Sequence, residues 1–200
     1  MTPVLLAAML LLAATDTGAV SGTIRSRSVP VNGAVVFLTR EEDHPPVAAD
    51  TTLIDQRNLR FVPASVVVSP GSAVVFRNSD PLLHNVFSPV RNGMGFNLGT
   101  YPSPGERSQV FPIEGHFVVL CHVHPEMVAY VVVAESHHRT VVASDGAFRL
   151  DEIPAGRYRL HVWHWRTGEY TEVIEVPAHG VLRLDVELAA PRPRANKKGW

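Results

Sequence analysis

At 200 residues, 46% hydrophobic and 18% charged, the chain has a globular composition with enough apolar material for one medium domain or two small ones. A formal net charge of -1 argues against a nucleic-acid binder, because affinity for phosphate comes from clustered Lys and Arg, and the sole basic cluster, PRPRANKKGW, is the tail. The single cysteine, Cys121, excludes an internal disulfide and leaves three roles: an inert buried thiol, a bond to another chain, or a metal ligand.

The chain opens on MTPVLLAAMLLLAATDTGAV. Its uncharged apolar run from Pro3 to Ala14 is shorter than the roughly 20 residues that span a bilayer, but it matches a signal-peptide core. Residues 1–19 are read as a signal peptide cleaved after Ala19, and no later segment is apolar enough to hold the mature chain in a membrane. The expected location is therefore outside the cytoplasm, periplasmic or extracellular.

Beyond Val20 the sequence reads as strands. Short β-prone runs (AVVFLT, SAVVF, HFVVLC, YVVVA, RYRLHVW, VLRLDVEL) are separated by Gly, Pro, Asn and Asp, and none of them sustains a helical period. The expected fold class is all-β, of sandwich type. Residues 20–40 form a hairpin candidate, followed by the charged linker EEDHPPVAAD. Residues 45–136 are long enough for a small sandwich of their own, and ESHHRT makes a second linker. Within 139–190, Phe148, Leu150, Tyr158, Leu160 and Val162 alternate with charged or polar residues on either side of a turn at Pro154 and Gly156. Residues 191–200 read as a disordered tail.

GTIRSRSVPVNGAVVFLT and SDGAFRLDEIPAGRYRLHV together resemble the two halves of a carboxypeptidase regulatory-like (transthyretin-like) β-sandwich. The resemblance implies that segments 20–40 and 139–190 form one sandwich with the middle module inserted in a loop of it. The plainer alternative is that residues 20–40 add a strand to the middle module.

The chemistry is concentrated in LCHVHPEM. Cys121 ends a strand, so its side chain can emerge at the rim of a sandwich, where His124 and Met127 fold back over the same point in a loop stiffened by Pro125. Thiolate, imidazole and thioether make a soft donor set of the kind that blue-copper sites use. A further imidazole is offered by His84 in RNSDPLLHNVFS, just after a Pro-containing turn.

FVPASVVVSPGSAVVFRNSDPLLHNVFS and GHFVVLCHVHPEM, with N-x-D, H-N and C-x-x-H-P-x-M in order, resemble the cupredoxins, in particular their amicyanin and plastocyanin branch. The resemblance implies a cupredoxin Greek-key sandwich over residues 45–136, inserted in or flanked by the second small sandwich. It implies one mononuclear type 1 copper site with His84 and His124 as imidazole ligands, Cys121 as thiolate and Met127 as weak axial donor. Asn85 then corresponds to an asparagine that ties the ligand loops together. Among the other candidates, His122 alternates away from Cys121, and Met94 lies in a Gly-flanked turn with no geometric reason to approach it. The pairs His137/His138 and His161/His164 read as surface or linker residues, and Trp163 and Trp165 as a contact between domains.

Four protein donors leave no open coordination position, which suits a one-electron carrier better than an enzyme. The cupredoxin resemblance implies a partner that docks on an apolar patch around His124, for which Leu82, Leu83, Val123 and Pro125 are the candidates. Its amicyanin-like loop points to a redox protein such as a c-type cytochrome or a quinoprotein dehydrogenase. The rival readings are a copper carrier or buffer without electron transfer, a copper enzyme, and a structural or adhesion β-sandwich without metal. The copper enzyme is disfavoured because Leu120 stands where a His-Cys-His bridge to further metals needs histidine.

Overall fold

A computed structural model describes residues 16–40, 46–91 and 93–190. Most of the expected signal peptide, residues 41–45 of the first linker and the expected tail lie outside the described residues. The described residues contain strands and no helix, the all-β class expected. In chain order the strands are β1 (Thr17–Arg25), β2 (Val35–Thr39), β3 (Thr51–Gln56), β4 (Phe61–Val62), β5 (Ser65–Val68) and β6 (Ser72–Asn78). Then come β7 (His84–Arg91), β8 (Met94–Tyr101), β9 (Gly105–Phe111), β10 (Gly115–Leu120) and β11 (Val128–Val133). The chain ends with β12 (Arg139–Val141), β13 (Ala147–Pro154), β14 (Gly156–His164), β15 (Gly168–Val176) and β16 (Val181–Glu187).

These strands form four sheets. Sheets β13-β1-β16 and β12-β2-β14-β15 enclose a core that includes Val20, Val36, Leu150, Leu160 and Val162. Sheets β4-β3-β6-β9 and β5-β11-β10-β7-β8 enclose a second core around Phe76, Phe111, Phe117 and Val131. The second pair of sheets is built entirely from the stretch of chain between β2 and β12.

One local expectation is corrected. Residues 20–40 are not a hairpin, because β1 pairs with β13 and β16 while β2 pairs with β12 and β14. Both strands send apolar side chains into one core from opposite sides: Val20 and Ile24 from β1, Val36 and Leu38 from β2. The connection therefore crosses between sheets, ending in a turn closed by Ala34 N–H to the Val31 carbonyl, with Gly33 at φ +80°. The turn at Pro154 likewise hands the chain from one sheet to the other. At the start of β1, Thr17 and Gly18 pair with Pro154 and Ile153, and Ala19 pairs with Val181.

The two sandwiches meet face to face. Along β2, Val36 and Leu38 enter the first core while Val35 and Phe37 point the other way, into a third apolar cluster. Along β11, Ala129, Val131 and Val133 enter the second core while Val132, with Ala134 just beyond the strand, joins that same third cluster. Burial on both faces is why AVVFLT and YVVVA are continuous apolar runs instead of alternating ones. Trp163 completes the cluster, its ring stacked on His116 at 4.6 Å and 7° and set edge-on to Tyr130 at 5.5 Å. Trp165 also stacks on Tyr130, at 5.6 Å. His164, read from the sequence as a surface residue, is 1% exposed, on the same side of β14 as Leu160 and Val162.

Burial holds the imidazoles of His116, His138 and His164 below their ordinary titration range. For His116, Glu169 pulls the other way and Arg91 adds to the depression. Because the folded value is the lower one, the stability these groups contribute is complete above about pH 6.5 and is lost as pH falls through the folded value. Denaturant midpoints are expected to drop between about pH 8 and about pH 5.5, and His116→Phe, which keeps a ring against Trp163, should flatten part of that slope. An unchanged slope in that variant would assign the effect elsewhere.

Candidate metal centre

The site forms where two strands of one sheet end together. β7 and β10 are antiparallel neighbours in the register Leu120↔Phe87, which carries Cys121 past the end of β10 towards the first residues of β7. His84 is the first residue of β7, and it is fully buried. Beyond Cys121 the chain turns back on itself, and the Met127 N–H donates to the His124 carbonyl at 3.0 Å. His84, Cys121 and His124 thereby gather one nitrogen, one sulfur and one nitrogen within 4.8 Å of one another. The two Nδ1 atoms face each other at 3.0 Å. Met127, 1% exposed, belongs to the same apolar cluster as Cys121.

This geometry fits a single metal ion. Imidazole nitrogen binds such ions at about 2.0 Å and thiolate at about 2.3 Å, so donors sharing one ion lie within roughly 4.6 Å of each other. The protein has gathered its donors on that scale from two segments separated in sequence.

The donors are themselves held. Asp80 accepts from His84 Nε2 at 2.9 Å, which places the proton on that nitrogen and leaves Nδ1 as a lone pair facing His124. The same carboxylate accepts the backbone N–H groups of Asn58 at 2.6 Å and Leu59 at 2.9 Å. Burial pushes the Asp80 carboxyl up, but the Leu59 N–H, His84 and the Asn58 N–H outweigh it, and the net direction is down. Asn78 holds the intervening turn, donating to the carbonyls of Leu82 and Tyr101 and accepting from the Asp80 N–H. Tyr101, which pairs with His84 across β7 and β8, donates its hydroxyl to the Phe76 carbonyl, and burial pushes its phenol up to about 12.

Asn85 ties the site in a different way from the one expected. Its backbone N–H donates to Cys121 Sγ at 3.4 Å, while its side-chain amide donates to Asn97 Oδ1 of β8 at 2.9 Å. The link between ligand segments is therefore main-chain, and the side chain steadies the neighbouring strand. His122 is exposed and lies flat on Phe87, and Met94 packs on the edge of the second core. Leu82, Leu83, Val123 and Pro125 are all exposed, in the two segments that carry His84 and His124. The sequence reading used the N-x-D spacing but gave Asp80 no role; an acid four residues before a ligand histidine was the available signal.

No protein-family model and no curated protein matches the chain. Solved structures similar to part of it include a purple cupredoxin from Nitrosopumilus maritimus, with 24% identity and a TM-score of 0.38 over 42% of this chain and 99% of that one. A proline-to-glycine mutant of amicyanin in its reduced Cu(I) form is similar at 22% identity and a TM-score of 0.40, covering 50% of this chain and 98% of that one. A copper-containing nitrite reductase from Thermus scotoductus SA-01 is similar at 21% identity and a TM-score of 0.40, over 46% of this chain and 25% of that one.

Asp80→Asn keeps the shape and removes the charge that fixes the His84 proton. Metal affinity, measured in competition with a chromophoric chelator, is expected to fall about 10- to 100-fold. An unaltered affinity would show that Asp80 supports the turn alone.

Proposed function

We propose that this chain is a mononuclear copper protein that carries single electrons between redox partners. The observation that supports this best is the convergence of two imidazole nitrogens and one thiol sulfur, His84, His124 and Cys121, at a buried point beside Met127. Two imidazoles, a thiolate and a thioether match the donor preference of copper in electron-transfer sites. Copper held there would supply one-electron chemistry between its cuprous and cupric forms.

The protein's own residues supply the rest. Strand ends and the Asp80 brace hold the donors, so a change of charge at the site asks for little rearrangement. Burial of His84, Cys121 and Met127 keeps water from adding a ligand, which favours a carrier over an enzyme. His124 is the partly exposed donor, and with Leu82, Leu83, Val123 and Pro125 around the site we assign that end to docking a redox protein such as a c-type cytochrome or a quinoprotein dehydrogenase. The apolar run Pro3–Ala14 supports export to the periplasm or beyond.

Titration of the purified protein with Cu(II) is expected to give an intense visible band at one equivalent, with the narrow hyperfine splitting of a thiolate-bound cupric ion. Both features should vanish in Cys121→Ser and in His84→Ala. A pale, ordinary cupric spectrum would overturn the assignment. Loss of copper on each redox cycle in voltammetry would favour a metal carrier over an electron carrier.

A further inference from the structure

We propose that Asp80 biases the site towards cupric over cuprous copper and so lowers the reduction potential of the carrier, an inference that rests on the copper reading above. The carboxylate acts through one ring. It accepts from His84 Nε2 at 2.9 Å, and the other nitrogen of that ring, Nδ1, is the donor atom facing His124 at 3.0 Å. An acceptor on the outer nitrogen of a ligand imidazole makes the inner nitrogen a stronger donor. Asp80 adds more than an acceptor, because it brings a full negative charge.

Three observations keep that charge in force. Asp80 is 5% exposed and His84 fully buried, so water and salt screen the anion poorly. Its remaining hydrogen bonds come from the backbone N–H groups of Asn58 and Leu59, which stabilise the carboxylate without cancelling its charge. No Lys or Arg pairs with it among the described residues, and Arg57, in the adjoining loop, pairs with Asp55 at 2.8 Å instead. An uncancelled anion beside a ligand ring attracts a doubly charged ion more than a singly charged one. Asp80 is therefore a tuning residue that acts through His84, and it distinguishes the two oxidation states as well as holding the ring.

The test compares the full chain with Asp80→Asn and Glu126→Gln. Cupric and cuprous affinities are measured by competition with chelators selective for each state, and the potential by voltammetry. Asp80→Asn is expected to lower the ratio of cupric to cuprous affinity about tenfold, a rise of about 59 mV for a one-electron couple. Raising the salt from about 0.01 M to about 1 M should leave that difference in place, because a buried charge is weakly screened. Glu126→Gln removes an equal charge from an exposed position in the loop between His124 and Met127, so its ratio should change by less than about twofold. An unchanged ratio in Asp80→Asn, equal weakening of both oxidation states, or an equal effect from Glu126→Gln would overturn the proposal and leave the copper assignment standing. Absence of a thiolate–copper band from the unaltered protein would overturn both. If Asp80→Asn does not fold, redox-difference infrared spectra of the unaltered copper-loaded protein decide: a carboxylate band that shifts on reduction supports the proposal, and the lack of one overturns it.

Discussion

The end of the second sandwich that gathers His84, Cys121 and His124 is organised by one buried carboxylate. Asp80 accepts hydrogen bonds from two backbone groups in the turn after β3 and from the ring of His84, so it fixes a loop and a donor atom in one step. Its negative charge survives burial because three donors compensate the lost hydration. With that carboxylate in place the His84 ring has one orientation and one tautomer. His124 and Cys121 then have a fixed point on which to close.

The rest of the fold keeps that end rigid. The sheet that carries His84 and leads into Cys121 is covered on one face by the second core and, along β11 and β5, on the other by the neighbouring sandwich. Side chains packed on both faces resist the small shear that would separate two strand ends, since close-packed interiors transmit strain instead of absorbing it. Ser136, in the linker after β11, bonds the Leu38 carbonyl at 2.6 Å, so the joint is fastened by hydrogen bonds as well as by apolar contact. The first sandwich thus serves as a backing plate for the second.

Much of this was legible from residue spacing, and the remainder failed for identifiable reasons. Cys121, His124 and Met127 lie within one short loop, so their nearness to each other is local, and His84 announced itself by the turn before it. The strands were visible as β-prone runs between turn residues. Which strands pair was not: β1 and β2 could equally form a hairpin or join facing sheets, and only the position of the shared core decides. His164 looked exposed because a histidine near a strand end is polar and surface-seeking by default, but it lies on the same side of β14 as Leu160 and Val162 and is buried there. Asp80 and Asn78 belonged to a recognised spacing, but the brace they form is a contact through space.

The proposed electron-carrier role requires one thing above all, that a single ion be shared by Cys121 and two histidines from separate segments. X-ray absorption at the copper edge of the loaded protein tests this most directly. The expected spectrum contains one short copper–sulfur distance together with two copper–imidazole distances, and the sulfur contribution disappears in Cys121→Ser. A copper ion surrounded by nitrogen and oxygen alone in the unaltered protein would contradict the account.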